Sequence, residues 1–175
     1  MCGKVRYECV GEPVFSANCH CRDCQKSSGA GYAPAMMFPI DNIRIIGEVK
    51  YYDKNGDNGH FVKRGFCPNC GSQLFAVVDL VPGMLGVRAG TLDNPSDFKP
   101  ALDMYTSSAA SWDSMNESLP KMPRAPRWRG RVCKMIYLAH QIALHRGVQE
   151  AHLHTLQLLL STIPTDLTVS HVLML

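Results

Sequence analysis

Short apolar and β-branched runs, broken every few residues by Gly, Pro, Asn or Asp, fill the first 130 positions of the chain. Val5-Arg6-Tyr7-Glu8-Cys9 alternates with the two-residue period of a half-buried strand. Ile43 to Ile46, Phe61 to Phe66, Gln73 to Val78 and Met84 to Arg88 concentrate β-branched or aromatic residues between turn formers. These runs predict strands and a mainly β domain. Asp53-Lys-Asn-Gly-Asp-Asn-Gly59 separates an extended run ending at Tyr52 from one starting at His60, and its two Asn/Gly signals predict a hairpin. Beyond Gly130 the period changes. Met135, Leu138, Ala139, Ile142 and Ala143, and again Leu153, Leu156 and Leu160, recur at helical spacing, which predicts either two amphipathic helices or a poorly ordered extension.

Composition sharpens that boundary. The first 130 residues hold 13 of the 14 Gly and seven of the eight Cys, whereas the last 45 hold five of the seven His. The expected division is a turn-rich domain over 1–130 and an extension over 131–175. A net charge of +3 with 19% charged residues is too small and scattered to favour nucleic acid or an anionic membrane as partner. MCGKVRYECV lacks the apolar stretch of a secretory signal, and no window approaches the ~20 apolar residues that span a bilayer. The chain is therefore expected to be soluble and cytoplasmic, with its thiols reduced.

The cysteines carry the chemistry. Cys19-His20-Cys21-Arg22-Asp23-Cys24 puts three thiols within six residues, Cys67-Pro68-Asn69-Cys70-Gly71 adds a close pair, and Cys2 stands at the start. A Cys-x-x-Cys turn lets two sulfurs converge on one metal ion, and thiolate donors in a reducing environment select zinc ahead of other divalent ions. The competing chemistry is dithiol redox cycling, which expects a pair set between strand and helix in a βαβ unit; neither pair is predicted to have that setting.

Cys2-Gly3-Lys4-Val5-Arg6-Tyr7, Cys19 to Gly29, and Gly65-Phe66-Cys67-Pro68-Asn69-Cys70-Gly71-Ser72 resemble, in order and spacing, the three motif blocks of the glutathione-dependent formaldehyde-activating enzyme family, which includes centromere protein V-like proteins. The resemblance spans about residues 1 to 130. It implies an Mss4-like β-rich zinc domain with two zinc sites. One is structural, carried onto Cys2, Cys67 and Cys70; the other is functional, carried onto Cys19, Cys21 and Cys24, whose open fourth position suits catalysis. The family's first motif Cys would fall just before Met1, leaving a free N-terminal amine, water or His60 to close the structural site.

The implied activity is that of a zinc-dependent carbon-sulfur lyase acting on a thiol adduct such as S-hydroxymethylglutathione, with His20 or a metal-bound water as acid-base candidates. The alternative is a noncatalytic zinc module for protein-protein recognition, which a closed four-ligand cage would favour. Side-chain alternation sends His20 away from the neighbouring sulfurs, so a packed histidine is the first expectation. Arg22 and Lys26 are placed to attract a carboxylate-bearing thiol or to be solvated. Asp23 is expected to accept backbone N–H groups in the ligand turn. Ser27 to Gly31 suit close substrate approach or a plain turn. Cys9, Met36, Met37 and Phe38 are expected in the core, though the last three can also wall a pocket. Cys133 receives no role, and His145, His152 and His154 read as helix surface. Trp112 and Trp128 flank an expected terminal strap packed over the domain.

Overall fold

Alternation along the chain becomes a large twisted sheet backed by a two-stranded ribbon in the computed structural model, which describes residues 1–56 and 59–125. The ribbon is β1 (Arg6–Cys9) paired antiparallel with β4 (Ile43–Ile46). The large sheet contains β2 (Phe15–Cys19), β3 (Ala33–Pro39), β5 (Lys50–Asn55), β6 (Phe61–Phe66), β7 (Gln73–Val78), β8 (Met84–Arg88), β9 (Leu102–Met104) and β10 (Lys121–Met122). Their order across the sheet is β10-β9-β2-β3-β8-β7-β6-β5. Neighbours are antiparallel except β9, which runs parallel to β2, and β10, which runs parallel to β9. One helix, α1 (Arg22–Ser28), joins β2 to β3.

Since successive strand residues point to opposite faces, the register sorts the side chains into two sets. Met36, Val87 and Phe75 stand opposite one another on β3, β8 and β7, as do Phe38 and Leu85, and all five are buried. Tyr7, Cys9 and Ile43 of the ribbon, with Val49, pack against this set. Tyr7 meets Phe75 edge-on at 5.3 Å between ring centres, and its hydroxyl lies 2.7 Å from that of Thr91. This is the hydrophobic core, and it takes Cys9, Met36 and Phe38 as expected. The opposite face carries Cys19, Ala33, Ala35, Met37, Gly86, Arg88, Ala76 and Arg64, linked pairwise across the ladder.

Several expectations shift at the edges. The hairpin forms, but β5 continues through Asn55, three residues past Tyr52. The ladder carries it: Asp53 lies opposite Lys63 and Lys54 opposite Val62, while Gly56 N–H closes the turn on His60 O at 2.8 Å. Residues 121 and 122 of the expected strap add a strand beside β9 at the sheet edge rather than lying over a face, and Trp112 is 71% exposed. The domain is mainly β, as expected, with α1 added. The described residues belong to one compact unit, Met1–Trp128. The tail helices, Cys133, Trp128, His145, His152, His154 and the boundary near Gly130 lie outside the described residues. Among the described residues, no helix is long and apolar enough to cross a membrane.

Phe75 is fully buried between both layers, so Phe75→Ala should cost about 3–5 kcal/mol through lost transfer energy and an unfilled cavity. Trp112→Ala should change stability by no more than about 0.5 kcal/mol. Urea unfolding of the two variants checks the contrast, and comparable losses would mean that the indole is held by contacts its exposure conceals.

Candidate metal centre

The first cluster grows out of the end of β2 and the start of α1. Cys19 closes the strand, Cys21 is the helix N-cap in extended conformation with its sulfur accepting the Cys24 N–H at 3.4 Å, and Cys24 lies in the first turn. Gly29 ends the helix at φ 67° and returns its N–H to Gln25 O at 2.9 Å; an L side chain there meets the left-handed penalty. Gln25, itself buried, donates to His20 O at 2.6 Å and Ser108 O at 2.8 Å, clamping the loop onto the sheet. The sulfur donors of Cys19, Cys21 and Cys24 lie within 4.8 Å of one another.

A second cluster gathers at the turn between β6 and β7. Cys67 N–H bonds to Ser72 O and Gly71 N–H to Cys67 O, both at 2.9 Å, which turns Cys70 back toward Cys67. Cys2 comes from 65 residues earlier to place its sulfur 3.6 Å from that of Cys67. Sulfurs held ~2.3 Å from a tetrahedral zinc stand ~3.8 Å apart, so both clusters fit a thiolate-bound metal of that size. His60 does not join the second cluster. It precedes β6, a strand's length of ~20 Å from Cys67, and its Nδ1 lies 3.1 Å from Asp79.

The thiols differ in proton affinity. Cys24 is held well below the ordinary value because it accepts hydrogen bonds from Cys19 and Cys21, and the positive charges of Arg88 and Arg64 add to this against the effect of burial. The Cys19 thiol is raised by its hydrogen bonds with Cys21 and Cys24 and by burial. Cys70 is lowered to about 6, first by the Ser72 hydroxyl 3.4 Å away and then by backbone N–H groups of Ser72 and Cys2. A bound metal replaces such thiol protons.

His20 points to the other side of β2. Asn18 Nδ2 donates to Asp103 at 2.9 Å, and His20 Nε2 lies 3.4 Å from the same carboxylate oxygen, so Asn18 and His20 share the face opposite Cys19. His20 Nδ1 bonds to Asp113 at 2.6 Å, and its ring lies 5.1 Å from that of Tyr32. Gly31 makes room for this: a Cβ there would stand 2.7 Å from the Asp113 carboxyl carbon. His20 is thus a buried, carboxylate-clamped histidine turned away from the thiols. Burial tends to raise Asp103, but hydrogen bonds from Asn18, Lys121 and His20 outweigh it and hold the carboxyl below its ordinary value.

Other candidates move. Asp23 pairs with Lys54 at 2.6 Å and lies 3.6 Å from Arg64, instead of capping backbone N–H groups. Arg22 and Lys26 are exposed, and Arg22 bonds to Gln25. Ser27 and Ser28 belong to α1. Met37 sits half-buried on the cysteine face, apart from Met36 and Phe38. Cys21-x-x-Cys24 does lie between strand and helix, contrary to expectation. However, β2 and β3 run antiparallel, not as the parallel pair of a βαβ unit, and a third thiol joins the pair. Sequence reading missed Arg64, Arg88, Asp103, Asp113 and Tyr105, the last at φ 61° and packed against the first cluster. One signal was present. Met84 to Arg88 lacks alternation, as a strand buried on both faces does, and all five of its residues are buried, the arginine included.

The described residues thus form a β-rich domain bearing two three-cysteine clusters suited to a metal. The family model of the glutathione-dependent formaldehyde-activating enzymes matches residues 1–108, and the chain belongs to that family. Among solved structures the chain is similar to a Rhodobacter sphaeroides protein, a structural-genomics target, at 23% identity and a TM-score of 0.43, covering 55% of this chain and 88% of that one. No curated protein matches the chain.

Asp103 generates a pH prediction. Its folded pKa lies below the ordinary 3.8, so the ionised carboxylate stabilises the fold fully above that pH and loses its contribution as pH falls through the depressed value. Asp103→Asn should cost about 3 kcal/mol near pH 7 by breaking a buried charged network. The gap from the parent, measured by urea unfolding, should shrink below pH ~4. A gap independent of pH would assign Asp103 to packing alone.

Proposed function

We propose that the chain is a zinc-dependent carbon-sulfur lyase acting on a thiol adduct of the S-hydroxymethylglutathione kind. In this reading Cys19, Cys21 and Cys24 hold the catalytic zinc, and Cys2, Cys67 and Cys70 hold a structural one. The family supplies the reaction class. The observation that carries the assignment is the setting of the first cluster. Neither cluster gathers a fourth His, Cys, Asp or Glu among the described residues, and what sets the first apart is that two buried arginines share its sheet face.

Zinc held by these three thiolates would supply a Lewis acid able to lower the pKa of a thiol or hydroxyl bound to it. The reaction needs the adduct hydroxyl to lose its proton to water as the carbonyl forms, while the carbon-sulfur bond breaks and its electron pair leaves on sulfur as thiolate, which takes a proton back from water on release. Cys21 and Cys24 are oriented for this by the N-cap of α1, and Gln25 holds their loop. Arg64 and Arg88 put positive charge on the sheet face that carries this cluster. His20 positions Cys19 from behind, its ring engaged by Asp103 and Asp113. The zinc domain ends near Gly130 in this proposal, and its substrate is a small thiol met in the cytoplasm.

The two clusters should respond differently to substitution. Cys67→Ser or Cys70→Ser should unfold the domain or lower its melting temperature sharply, since that site ties the N-terminus to a turn 65 residues away and structural zinc contributes on the order of 10 kcal/mol in small zinc peptides. Cys21→Ser or Cys24→Ser should remove thiol-adduct turnover and about one equivalent of zinc, leaving more of the fold intact. Metal analysis, thermal melts and formaldehyde release from the glutathione adduct test this together. A zinc-loaded, folded protein without turnover would point to a noncatalytic module, and equal destabilisation by both sets would overturn the division of roles.

A further inference from the structure

Arg64 and Arg88 are only 8% exposed each. Arginine is rarely buried unless paired, because the desolvated guanidinium needs a counter-charge and acceptors for its donors. Here the pairing is incomplete. Nε of both residues is buried with no hydrogen-bond acceptor among the described residues. Arg64 reaches Asp23 only through Nη2 at 3.6 Å, and that carboxylate already holds Lys54 at 2.6 Å. Two cations, Lys54 and Arg64, thus share one carboxylate, and Arg88 has no carboxylate partner among the described residues.

The register places these donors relative to the thiols. Arg88 is opposite Ala35, which is opposite Ala17, two residues before Cys19 on the same face of β2. Arg64 is opposite Ala76, and Ala76 is opposite Gly86, two residues before Arg88 on the same face of β8. Arg88 is therefore two strands and two residues from Cys19, and likewise from Arg64, ~12 Å between backbones in each direction. The positions between them on that face are Ala35, Ala76 and Gly86, with the Met37 side chain lying against Gly86.

We infer that Arg64 and Arg88 form an anion-binding pair beside Cys19, Cys21 and Cys24 that receives a carboxylate of the thiol substrate. The inference rests on the thiol-adduct reading for the identity of the ligand, and on the unmet donors for the site itself. It selects acidic thiols whose carboxylate lies within about 10 Å of the sulfur, the span of roughly three extended residues. The planar guanidinium fork suits a carboxylate, and either arginine can engage it with two N–H donors.

Calorimetric binding to the zinc-loaded full chain tests this, with metal content measured for every preparation. The probes are S-methylglutathione, which keeps both carboxylates without a free thiol, its dimethyl ester, and 2-mercaptoethanol. S-methylglutathione should bind at least about tenfold more tightly than its ester, as expected for loss of a charge-assisted hydrogen bond. Arg88→Gln and Arg64→Gln should each erase most of that difference with zinc content unchanged. Arg44→Gln, an exposed position on β4, should not. Binding of 2-mercaptoethanol should be the same in all variants. Equal binding of acid and ester by the parent, which needs no variant to fold, would overturn the inference and leave the arginines as counter-charges for the thiolates. If S-methylglutathione discriminates as stated while formaldehyde release is absent, the anion site stands and the lyase reading fails.

Discussion

Side chains along β2 must alternate, and the two ends of that alternation meet different chemistry. Ala17 and Cys19 face α1 and the thiol cluster, while Asn18 and the following His20 face the buried carboxylate of Asp103. A one-residue slip of β2 against β3 would put a histidine among the sulfurs and a cysteine among the carboxylates. The register is held by β3 on one side and the parallel β9 on the other, where Asn18 lies opposite Asp103 itself. The functional face thus owes its composition to a polar network on the reverse of the same strand.

The network has the features that make such clusters exacting. His20 and Asp103 are each 1% exposed, and Asp113 adds a second carboxylate to the ring. Lys121, from the edge strand β10, brings a balancing charge 3.0 Å from Asp103. Removing any one member leaves another charge buried without its partner, which costs more than the pair contributes. A histidine between two metal-ligating cysteines looks like a catalytic group in sequence. In space it is a fastener.

Much of the fold was legible from local pattern. Strands β4, β6, β7 and β8 coincide with runs picked out by β-branched and aromatic content, and β1 differs by one residue. Both cysteine clusters followed from spacing and family resemblance. What escaped detection depended on partners far along the chain. Ala33–Pro39 holds two prolines and three consecutive large apolar residues without alternation, and becomes a strand because β2 and β8 bracket it. α1 is only seven residues, too short to show a helical period. Arg64 and Arg88 acquire a place only when the register sets them opposite Ala76 and Ala35. Asp23 could not be matched to Lys54 and Arg64 before the β5-β6 hairpin was placed beside α1.

The parallel pairing of β9 with β2 has a consequence for the order in which the molecule is made. Asn18 contacts Asp103 across 85 positions and His20 contacts Asp113 across 93, so the backing of the first thiol cluster is synthesised last. For most of translation Cys19, Cys21 and Cys24 sit at the end of a strand that has one edge unpaired, with their clamp absent. Contacts of such long range are slow to close, and a soft-metal site exposed during that interval is open to the wrong ion or to oxidation. The protein's vulnerable moment is therefore its own assembly, and the strand that guards the thiols arrives only as the domain is completed.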